Sequence, residues 1–374
     1  MAASRRGLRV ALISTAALGQ PGSMRAYADT LVQALARHAP EIELELIELD
    51  PMPKHGVWSR RLQTVLMPAR AWMQRARAPD LWHVLDGSRA YVARALGPAP
   101  VVVTVHDVIP WLQAKGRFPG APVLGAAARG LWRANGRAMK DSAQLVCVSE
   151  CTARDAQQES GIAPEKSLVV PLTLRPAMVD RARAPSDAAR NEGLVLHVGN
   201  NGFYKNREGV LRIFAKLDPR AAGRLLMAGP APSGDLLRMA HQLDLSERIE
   251  WSNDPDDDVL ASHYRRASVL LFPSLYEGFG WPVLEAMSFG LPVVVSNAGS
   301  LPEVAGDALA CLPLDDEPGF VSAVEQILRS PEAAKAAAVR GLAQAQSFSS
   351  ASFASGIQVA YSRAMETGRR PTAR

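Results

Sequence analysis

The sequence predicts an α/β protein with two domains, each built around a parallel β-sheet. Short apolar runs of strand length alternate with helical patterns along the whole chain, as in sheets whose parallel strands are joined by helices. The 374 residues are enough for two domains that each bury a core of their own. Residues 172–193 are polar and have no clear period, so we expect them to form the linker between the halves.

Twelve apolar runs are expected to be strands, six in each half. In the first half they are Leu8–Ser14, Ile42–Leu49, Leu81–Leu85, Val101–Val105, Gln144–Val148 and Ser167–Val170. In the second half they are Leu194–Val198, Arg224–Ala228, Arg248–Trp251, Ser268–Phe272, Leu291–Val295 and Ala308–Cys311. The pattern predicts two Rossmann-like domains, residues 1–180 and 190–350, that face each other across a cleft. The last stretch, 351–374, has no strand after it and is expected to be a helix that crosses back to the first domain.

The first 22 residues, "MAASRRGLRVALISTAALGQPG", carry paired arginines before an apolar stretch, as a secretory signal does. Val10–Ser14 nevertheless has strand character and leads into Gly19, Gly22 and a helical pattern, which favours a first strand. Gly22 and Ser23 stand just before that helix, where backbone amides can face a phosphate. The loop has no G-x-G-x-x-G pattern, so this signal is weak on its own.

Composition and charge limit the classes of protein that this chain can be. Hydrophobic residues make up 48% and charged residues 21%, and no apolar run approaches the roughly 18 residues that span a bilayer. Residues 1–190 carry 25 Lys and Arg against 16 Asp and Glu, and residues 191–374 carry 17 against 21. The two halves are therefore expected to bind different partners. Cys147, Cys151 and Cys311 have neither metal nor disulfide spacing, so we expect a reducing compartment.

Two segments of the basic first half are candidates for a surface that binds an anionic membrane. In "VWSRRLQTVLMPARAWM" one helical face carries Trp58, Leu62, Val65, Leu66, Ala69, Trp72 and Met73, and it is flanked by Arg61, Arg70 and Arg77. A basic stripe at helical spacing comprises Arg129, Arg133, Arg137 and Lys140. The apolar face fits a helix that lies on a membrane. It fits equally a helix packed against the core, and Pro68 is expected to kink or split it.

The stretch "VVVTVHDVIPW" places His106 at the end of a continuous apolar strand. In open parallel sheets ligands bind at the carboxyl ends of the strands. A histidine at that position can orient or deprotonate a hydroxyl group. The alternative is a structural histidine whose ring nitrogens are satisfied by hydrogen bonds within the fold.

The stretch "VLHVGNNGFYKNREGVLRIFAKL" reads as a strand that ends at Gly199, a loop, and an amphipathic helix opened by Lys205 and Asn206. A lysine beside a helix N-terminus can neutralise a diphosphate as a point charge. The alternative for Lys205 is an ordinary exposed lysine.

The stretch "LYEGFGWPVLEAMSFGLPVVV" reads as a glycine loop, a helix with Pro282 in its first turn, and a second strand. Glu277 lies in the loop and Glu285 about one turn into the helix. The unpaired amides at the helix start can bind an anion, and the two carboxylates can accept hydrogen bonds from hydroxyl groups. This combination suits a phosphorylated, polyhydroxylated ligand, and a solvated loop and helix face is the alternative.

In these features the chain resembles the GT-B glycosyltransferases of the large retaining family 4. The EX7E motif of that family is present as "EGFGWPVLE", from Glu277 to Glu285, with "FPS" before it and "EAMSFGLPVVVSNAGSLPEVAGDAL" after it. The stretches "VHDVIP", "VSECTARDA" and "VGNNGFYKN" occur in the family's usual order. The resemblance covers nearly the whole chain and is strongest over residues 193–311.

The resemblance implies transfer of a sugar from a nucleotide-sugar donor with retention and without a metal or other cofactor. Glu285 would hold the ribose hydroxyls, Glu277 the donor hexose, and Lys205 the leaving diphosphate. His106 would lie near the sugar and the acceptor. Together with the glycine loops, the expected donor site comprises Gly22, Gly199, Asn200, Lys205, Glu277, Gly278, Phe279, Gly280, Trp281 and Glu285. The expected catalytic residues are His106, Lys205 and Glu277.

The expected partners are an NDP-sugar donor, a glycan or lipid-linked acceptor and an anionic membrane surface, with no nucleic acid. The expected location is the cytoplasm, with peripheral attachment to the inner face of the plasma membrane, and a mannose-type hexose is weakly favoured. The reaction would serve the assembly of polysaccharide or glycolipid, lipopolysaccharide included.

Three other functions are open at this point. Paired carboxylates also serve glycosidases, although a hydrolase does not need a lysine and phosphate-binding loops beside them. A nucleotide-sugar epimerase of similar architecture would turn over NDP-sugar without an acceptor. An inactive nucleotide-sugar-binding partner is the third alternative, because many relatives have arginine where this chain has Asn200. That departure removes one phosphate-binding cation from the expected site.

Overall fold

The computed structural model describes residues 7–17, 22–50, 56–184 and 190–368, with the backbone alone for residues 56–61 and 368. The chain divides into two compact units. The N-terminal unit comprises Met1–Arg175 and Ser350–Arg374, and the C-terminal unit comprises Pro176–Ser349.

The N-terminal unit is built on a parallel sheet of six strands. They are β1 (Leu8–Ala17), β2 (Ile42–Asp50), β3 (Leu81–Val84), β4 (Val101–Val105), β5 (Gln144–Cys147) and β6 (Ser167–Val169). The spatial order is β2-β1-β3-β4-β5-β6. In this register Leu12 of β1 lies beside Leu46 of β2 on one side and His83 of β3 on the other. β3 and β5 are buried along their whole length, as expected for strands covered on both faces.

The C-terminal unit is built on a second parallel sheet of six strands. They are β7 (Leu194–Val198), β8 (Arg224–Gly229), β9 (Ile249–Asn253), β10 (Val269–Phe272), β11 (Val293–Ser296) and β12 (Ala310–Leu312). The spatial order is β12-β11-β10-β7-β8-β9, so β7 and β10 are central neighbours. Their register pairs Val195 with Val269 and Leu196 with Leu270.

Helices connect the strands in both units. In the first part of the chain they are α1 (Ser23–His38), α2 (Gly56–Met73), α3 (Ile109–Ala114), α4 (Ala126–Asp141) and α5 (Glu150–Ser160). In the C-terminal unit they are α6 (Pro176–Arg183), α7 (Arg207–Lys216), α8 (Gly234–Gln242), α9 (Asp257–Arg266), α10 (Trp281–Ser288), α11 (Leu301–Ala305), α12 (Glu317–Arg329) and α13 (Pro331–Gln346). The last helix, α14, spans Ser350–Gly368 and belongs to the N-terminal unit. None of the described helices has the length and apolar character needed to cross a bilayer.

The expected α/β class is confirmed, and all twelve expected strands are present within the described residues. Two strands, β4 and β7, have the expected ends, and the other ten differ from the expected bounds by one to three residues. Side-chain hydrophobicity does not mark where the hydrogen bonds between strands stop. One expectation was wrong, because part of the expected linker forms α6, which packs against α9. Of the two effects expected of Pro68, a split is absent, since α2 runs as one helix from Gly56 to Met73.

α14 packs on the sheet of the N-terminal unit. The hydroxyl of Tyr361 is 2.9 Å from Nδ1 of His83, and both side chains are fully buried. Gly356 of α14 sits so close to β6 that an added Cβ would lie 2.7 Å from Cγ1 of Val170. A glycine is therefore required at the point where the helix crosses the end of that strand.

The apolar face of α2 is exposed, although packing against the core was the equal alternative. The exposed side chains are Leu62, Val65, Leu66, Ala69, Trp72 and Met73, and we call them the α2 stripe. The helix buries Gln63, Met67 and Ala71 instead. Val65 is 74% exposed and Trp72 is 59% exposed, so the stripe does not belong to the core of this unit. The side chains of Trp58 and Arg61 lie outside the described residues.

Candidate active site

The predicted site residues of the C-terminal unit lie at the carboxyl edge of its sheet. β7 ends at Val198 and is followed by Gly199. β10 ends at Phe272 and is followed by the loop that carries Glu277. Because β7 and β10 are parallel neighbours, the two loops leave the sheet at the same edge.

Two hydrogen bonds to backbone carbonyl oxygens join these loops. The amide N–H of Leu275 donates to the carbonyl oxygen of Tyr204 over 2.7 Å. Nδ2 of Asn206 donates to the carbonyl oxygen of Pro273 over 2.8 Å. Lys205 lies between the two bonded residues of its loop, so its backbone is held against the loop that carries the glutamate.

Asn206 also starts α7. Its φ of 50° is in the left-handed region that asparagine tolerates, and its Oδ1 accepts from the amide N–H of Gly209 over 3.1 Å. The sequence pattern predicted that Lys205 and Asn206 open the helix. Instead a 3₁₀ turn, Phe203–Lys205, precedes the capping residue, and α7 begins at Arg207.

Lys205 and Glu277 form a buried ion pair. Nζ of Lys205 lies 2.8 Å from Oε1 and 2.9 Å from Oε2 of Glu277. The two side chains are only 11% and 8% exposed. The rings of Tyr204 and Phe272 lie 5.6 and 5.1 Å from Nζ, within the range of cation–π attraction. The carboxylate thus has both oxygens on one ammonium group in a region with little water.

The backbone of Glu277 is held by the loop that follows β11. Ser300 donates to the carbonyl oxygen of Glu277 from both its amide nitrogen and its hydroxyl, each over 3.0 Å. At Gly299, where φ is 61°, an added Cβ would lie 2.5 Å from that same carbonyl oxygen. Only glycine allows the loop to approach so closely.

Glu285 is buried in a different way. It lies in the second turn of α10 and is 2% exposed, and its Oε2 accepts from the hydroxyl of Tyr264 in α9 over 2.8 Å. The two glutamates of the motif therefore differ in their partners, because Glu277 faces a cation and Glu285 a neutral phenol.

The residues between the two glutamates form a tight turn into α10. Gly280 has a φ of 103° and directly precedes the helix, so the turn depends on glycine there. Phe279 packs edge-on against Phe348, with the ring centroids 5.6 Å apart. Its side chain is part of the core, so any ligand contact would come from its backbone. Gly278 is buried and Trp281 is half-buried.

Gly199 and Asn200 form the end of the β7 loop. An added Cβ at Gly199 would lie 2.8 Å from Nε2 of His197 and 3.4 Å from Cβ of Lys205. Glycine thus lets the lysine side chain pass close to the strand. Asn200 is exposed, and its Oδ1 accepts from the amide N–H of Gly202 over 2.8 Å, so it shapes the loop.

Sequence reasoning missed His197, which lies in β7 two residues before Gly199. Its Nδ1 donates to the carbonyl oxygen of Leu271 over 3.0 Å, which leaves Nε2 as an acceptor. Nε2 is buried and has no hydrogen-bond partner among the described residues. Burial, with smaller contributions from the charges of Arg207 and Lys205, lowers the pKa of His197 to about 3. The visible signal was a histidine within an apolar strand that leads into the loop.

Arg207 is a second residue that sequence reasoning missed. It is 6% exposed, its guanidinium donates to the carbonyl oxygen of Pro230 over 3.1 Å and to the side chain of Asn201, and burial lowers its pKa. Its contacts tie together the loops that follow β7 and β8. The sequence departs from the family pattern at Asn200, and the structure places this buried cation seven residues later in the same loop region.

His106 and Gly22 lie in the N-terminal unit. Nε2 of His106 is 2.9 Å from the carbonyl oxygen of Leu85, so Nε2 carries the proton and Nδ1 is the acceptor. The ring packs edge-on against Tyr27, with the centroids 4.6 Å apart. Burial lowers the pKa of His106, and the charge of Asp86 opposes that shift. The imidazole is therefore neutral at pH 7.

Gly22 directly precedes α1 and is exposed. An added Cβ there would meet no atom within 4 Å, so the position does not require glycine for steric reasons. Gly19 lies outside the described residues. Across the described part of the chain, no group of three or more His, Cys, Asp and Glu side chains is arranged to hold a metal ion.

Two family descriptions match the chain. Glycosyltransferase Family 4 matches residues 2–174, and Glycosyl transferases group 1 matches residues 178–342. The two matches together cover nearly all of both units.

Among similar curated proteins, O-antigen chain mannosyltransferase B of Escherichia coli is 35% identical over 162 residues, which is 42% of this chain and 42% of that protein. D-inositol 3-phosphate glycosyltransferase of Mycolicibacterium smegmatis is 27% identical over 98% of this chain and 94% of its own length. The chain thus matches less than half the length of the mannosyltransferase.

Among solved structures, that of Anabaena HepE in complex with UDP and glucose superposes with a TM-score of 0.69 and 17% identity. The superposition covers 95% of this chain and 99% of that one. At this identity the likeness establishes the GT-B fold and nothing finer.

Proposed function

Because the chain belongs to the GT-B glycosyltransferases, with a family 4 domain followed by a group 1 domain, we propose that it transfers a hexose from an NDP-sugar. The acceptor is a glycan or a lipid-linked glycan in polysaccharide or glycolipid biosynthesis, and the transfer proceeds with retention and without a metal. The observation that carries this proposal is the buried Lys205–Glu277 pair at the carboxyl edge of the C-terminal sheet.

In this proposal the donor is bound by three groups with different tasks. The carboxylate of Glu285 accepts hydrogen bonds from the ribose hydroxyls, and its burial supports a strong interaction with them. Glu277 accepts from hydroxyls of the hexose. Lys205 binds the diphosphate, and the turn from Gly278 to Trp281 contributes backbone amides.

The chemical step requires that the NDP leave as an anion. A lysine held in a buried site stabilises the negative charge that develops on the diphosphate more strongly than it would in water. His106 contributes from the N-terminal unit, where its neutral Nδ1 accepts a hydrogen bond from a hydroxyl of the hexose or of the acceptor.

The name of one relative supports the donor class. That relative is a mannosyltransferase of O-antigen chains, which favours mannose and lipopolysaccharide assembly. The nucleotide base is left open between guanine, uracil and adenine.

A screen with purified protein tests the donor proposal. GDP-mannose, UDP-glucose and ADP-glucose are titrated by calorimetry, and release of the free NDP is followed with and without a lipid-linked glycan acceptor. We expect one donor to bind and its NDP to be released mainly when acceptor is present. Conversion of donor without acceptor identifies an epimerase, and binding without any turnover identifies an inactive nucleotide-sugar-binding protein. No binding of any donor contradicts the proposal.

We further infer that the N-terminal unit docks on an anionic membrane surface, which would bring the site to a lipid-linked acceptor. The α2 stripe is exposed, and so is the basic stripe of α4, formed by Arg129, Arg133, Arg137 and Lys140. Each basic residue near an anionic leaflet contributes roughly 1 kcal/mol, and this falls off within a Debye length.

Liposome co-sedimentation tests this attachment. We expect the protein to pellet with vesicles that contain phosphatidylglycerol at low salt, and to pellet less at high salt or with neutral vesicles. The variant Trp72→Ser should reduce pelleting without loss of folding, because Trp72 is exposed. Equal and negligible pelleting with both vesicle types at low salt would contradict membrane attachment. The acceptor would then be bound from solution.

A further inference from the structure

In the structure the two charged groups proposed to bind the donor are bound to each other. Both carboxylate oxygens of Glu277 are within 2.9 Å of Nζ of Lys205, and both residues are buried. A diphosphate that binds Lys205 therefore competes with Glu277, and a hexose hydroxyl that binds Glu277 competes with Lys205.

Separation of Lys205 from Glu277 costs free energy, and the amount depends on which group then contacts each of them. A buried charge that loses its partner is strongly disfavoured unless another group compensates it. A nucleoside diphosphate compensates only Lys205, and it leaves an unpaired carboxylate next to a second anion. An intact NDP-hexose compensates both groups, because its diphosphate faces Lys205 and its hexose hydroxyls donate to Glu277.

We propose that the Lys205–Glu277 pair makes the site selective for the intact nucleotide-sugar over the nucleoside diphosphate. This inference rests on the donor site proposed above. Selectivity of this kind favours release of the NDP product and limits its inhibition of the next turnover.

The surroundings of the pair support this inference, because movement of the loops cannot easily separate the two groups. The backbone of Glu277 is held by two hydrogen bonds from Ser300. The loop of Lys205 is joined to the neighbouring loop by the bond from Leu275 to Tyr204 and the bond from Asn206. The pair must therefore open by side-chain exchange with a ligand.

The other glutamate of the motif cannot provide this selectivity. Glu285 accepts a hydrogen bond from the neutral hydroxyl of Tyr264. Its proposed ligand is the ribose, which is present in the nucleotide-sugar and in the nucleoside diphosphate alike. Discrimination between the two ligands is thus assigned to Glu277.

The test compares affinities for GDP with GDP-mannose, UDP with UDP-glucose and ADP with ADP-glucose by calorimetry. The pair of ligands whose nucleotide the wild-type protein binds is then used to measure the variants. We expect the wild-type protein to bind the nucleotide-sugar at least about tenfold more tightly than the matching NDP. Wild-type protein that binds the NDP as tightly as the sugar nucleotide overturns the inference without any variant.

The decisive variant is Glu277→Gln, which removes the negative charge and keeps the shape of the side chain. We expect its affinity for the NDP to rise about tenfold, because the competitor of the diphosphate is gone, and its affinity for the nucleotide-sugar to stay level or fall. The charge-retaining Glu277→Asp should keep NDP affinity within about threefold of wild type. Circular dichroism and the thermal midpoint establish that each variant is folded.

Glu317→Gln is the matched control, because Glu317 pairs with Arg212 and Lys216 at the surface of the same unit. It should change neither affinity. If Glu277→Gln weakens NDP binding or leaves it unchanged while wild-type protein binds both ligands, the inference is wrong and the donor site stands. If no nucleotide binds the wild-type protein, the donor site and the inference both fall.

Discussion

Each of the two units buries polar groups, but the two sets differ in charge. In the N-terminal unit, Tyr27, Thr104, His83 and Tyr361 form a fully buried chain of three hydrogen bonds of 2.8 to 2.9 Å. Every member of that chain is neutral, because burial raises the pKa of Tyr27 and Tyr361 and lowers the pKa of His83 to about 3. Both ring nitrogens of His83 are satisfied.

In the C-terminal unit the buried polar groups include an ammonium and a carboxylate, Lys205 and Glu277, and a histidine that is only half satisfied. Nε2 of His197 has no partner among the residues that the structure describes. The pKa of this histidine is also about 3. His83 and His197 thus have similar pKa values in different environments. His83 lies within the neutral hydrogen-bond network, and His197 lies at the edge of the candidate site.

This contrast distinguishes the neutral network from the residues proposed to bind the donor. A neutral network stabilises one packing, since each of its buried polar atoms has a hydrogen-bond partner. A buried ion pair contributes little net stability, because the desolvation of both charges offsets their attraction. A buried ion pair close to an acceptor without a partner, Nε2 of His197, therefore indicates a binding site for a polar ligand. The following variants test that difference.

The largest effect is expected from Lys205→Ala. The proposed role of Lys205 is greatest as the diphosphate leaves, so turnover should fall about 10²- to 10³-fold, and donor affinity should fall less. Steady-state kinetics and calorimetry measure the two quantities. Lys216→Ala is the control, because Lys216 also pairs with a glutamate, but at the surface. Unchanged kcat in Lys205→Ala would remove the lysine from the mechanism.

Glu285→Ala should mainly weaken donor binding. The ribose would lose charge-assisted hydrogen bonds of about 1.5–3 kcal/mol, which corresponds to roughly 10- to 150-fold in Kd. Tyr264→Phe is the control, because it removes the hydroxyl that donates to Glu285 and keeps the carboxylate. Its Kd should change only a few-fold. A Glu285→Ala protein with wild-type donor affinity would show that the nucleotide lies elsewhere.

His83 and His197, two of the buried histidines, predict a loss of stability at acidic pH. Between pH 6.5 and about 3 the unfolded chain protonates them and the folded chain does not, so the unfolded state gains stability as pH falls. At pH 5.5 each histidine should cost about 1.4 kcal/mol relative to pH 7.5. Denaturant unfolding at the two pH values measures the total loss, to which His106 and His263 also contribute because burial lowers their pKa.

The pH test can also isolate the contribution of His197, which lies in the C-terminal unit. His197→Asn should reduce the loss between pH 7.5 and pH 5.5 by about 1.4 kcal/mol, because asparagine does not titrate and keeps an amide that can donate to Leu271. Replacing the exposed His241 by Gln should leave the loss unchanged. An identical pH dependence in wild-type protein and His197→Asn would contradict the buried, neutral state of His197.

The smallest effect is expected from Tyr361→Phe, which opens the neutral network at one end. Nδ1 of His83 would lose its partner, and stability should fall by about 1–3 kcal/mol. Donor affinity should stay within twofold of wild type, because the network lies in the other unit. Ser362→Ala on the same helix is the control. A large loss of donor affinity in Tyr361→Phe would show that the neutral network supports the site after all.

The sequence by itself determined the α/β class, the twelve strands and the motif from Glu277 to Glu285. These depend on local rules, since the alternation of apolar runs with helical patterns and the positions of glycine and proline act over a few residues. The turn before α10 illustrates this, because Gly280 and Pro282 favour a helix start through their own backbone preferences, independently of distant residues.

Only the tertiary structure decided which charges meet and which faces are covered. Lys205 and Glu277 are 72 residues apart in sequence, and their bidentate contact depends on β7 and β10 being neighbours in the sheet. His83 and Tyr361 are 278 residues apart, and their contact depends on α14 packing on the first sheet. The same holds for the α2 stripe, since an amphipathic period shows that a helix has an apolar face and leaves open whether the fold covers it.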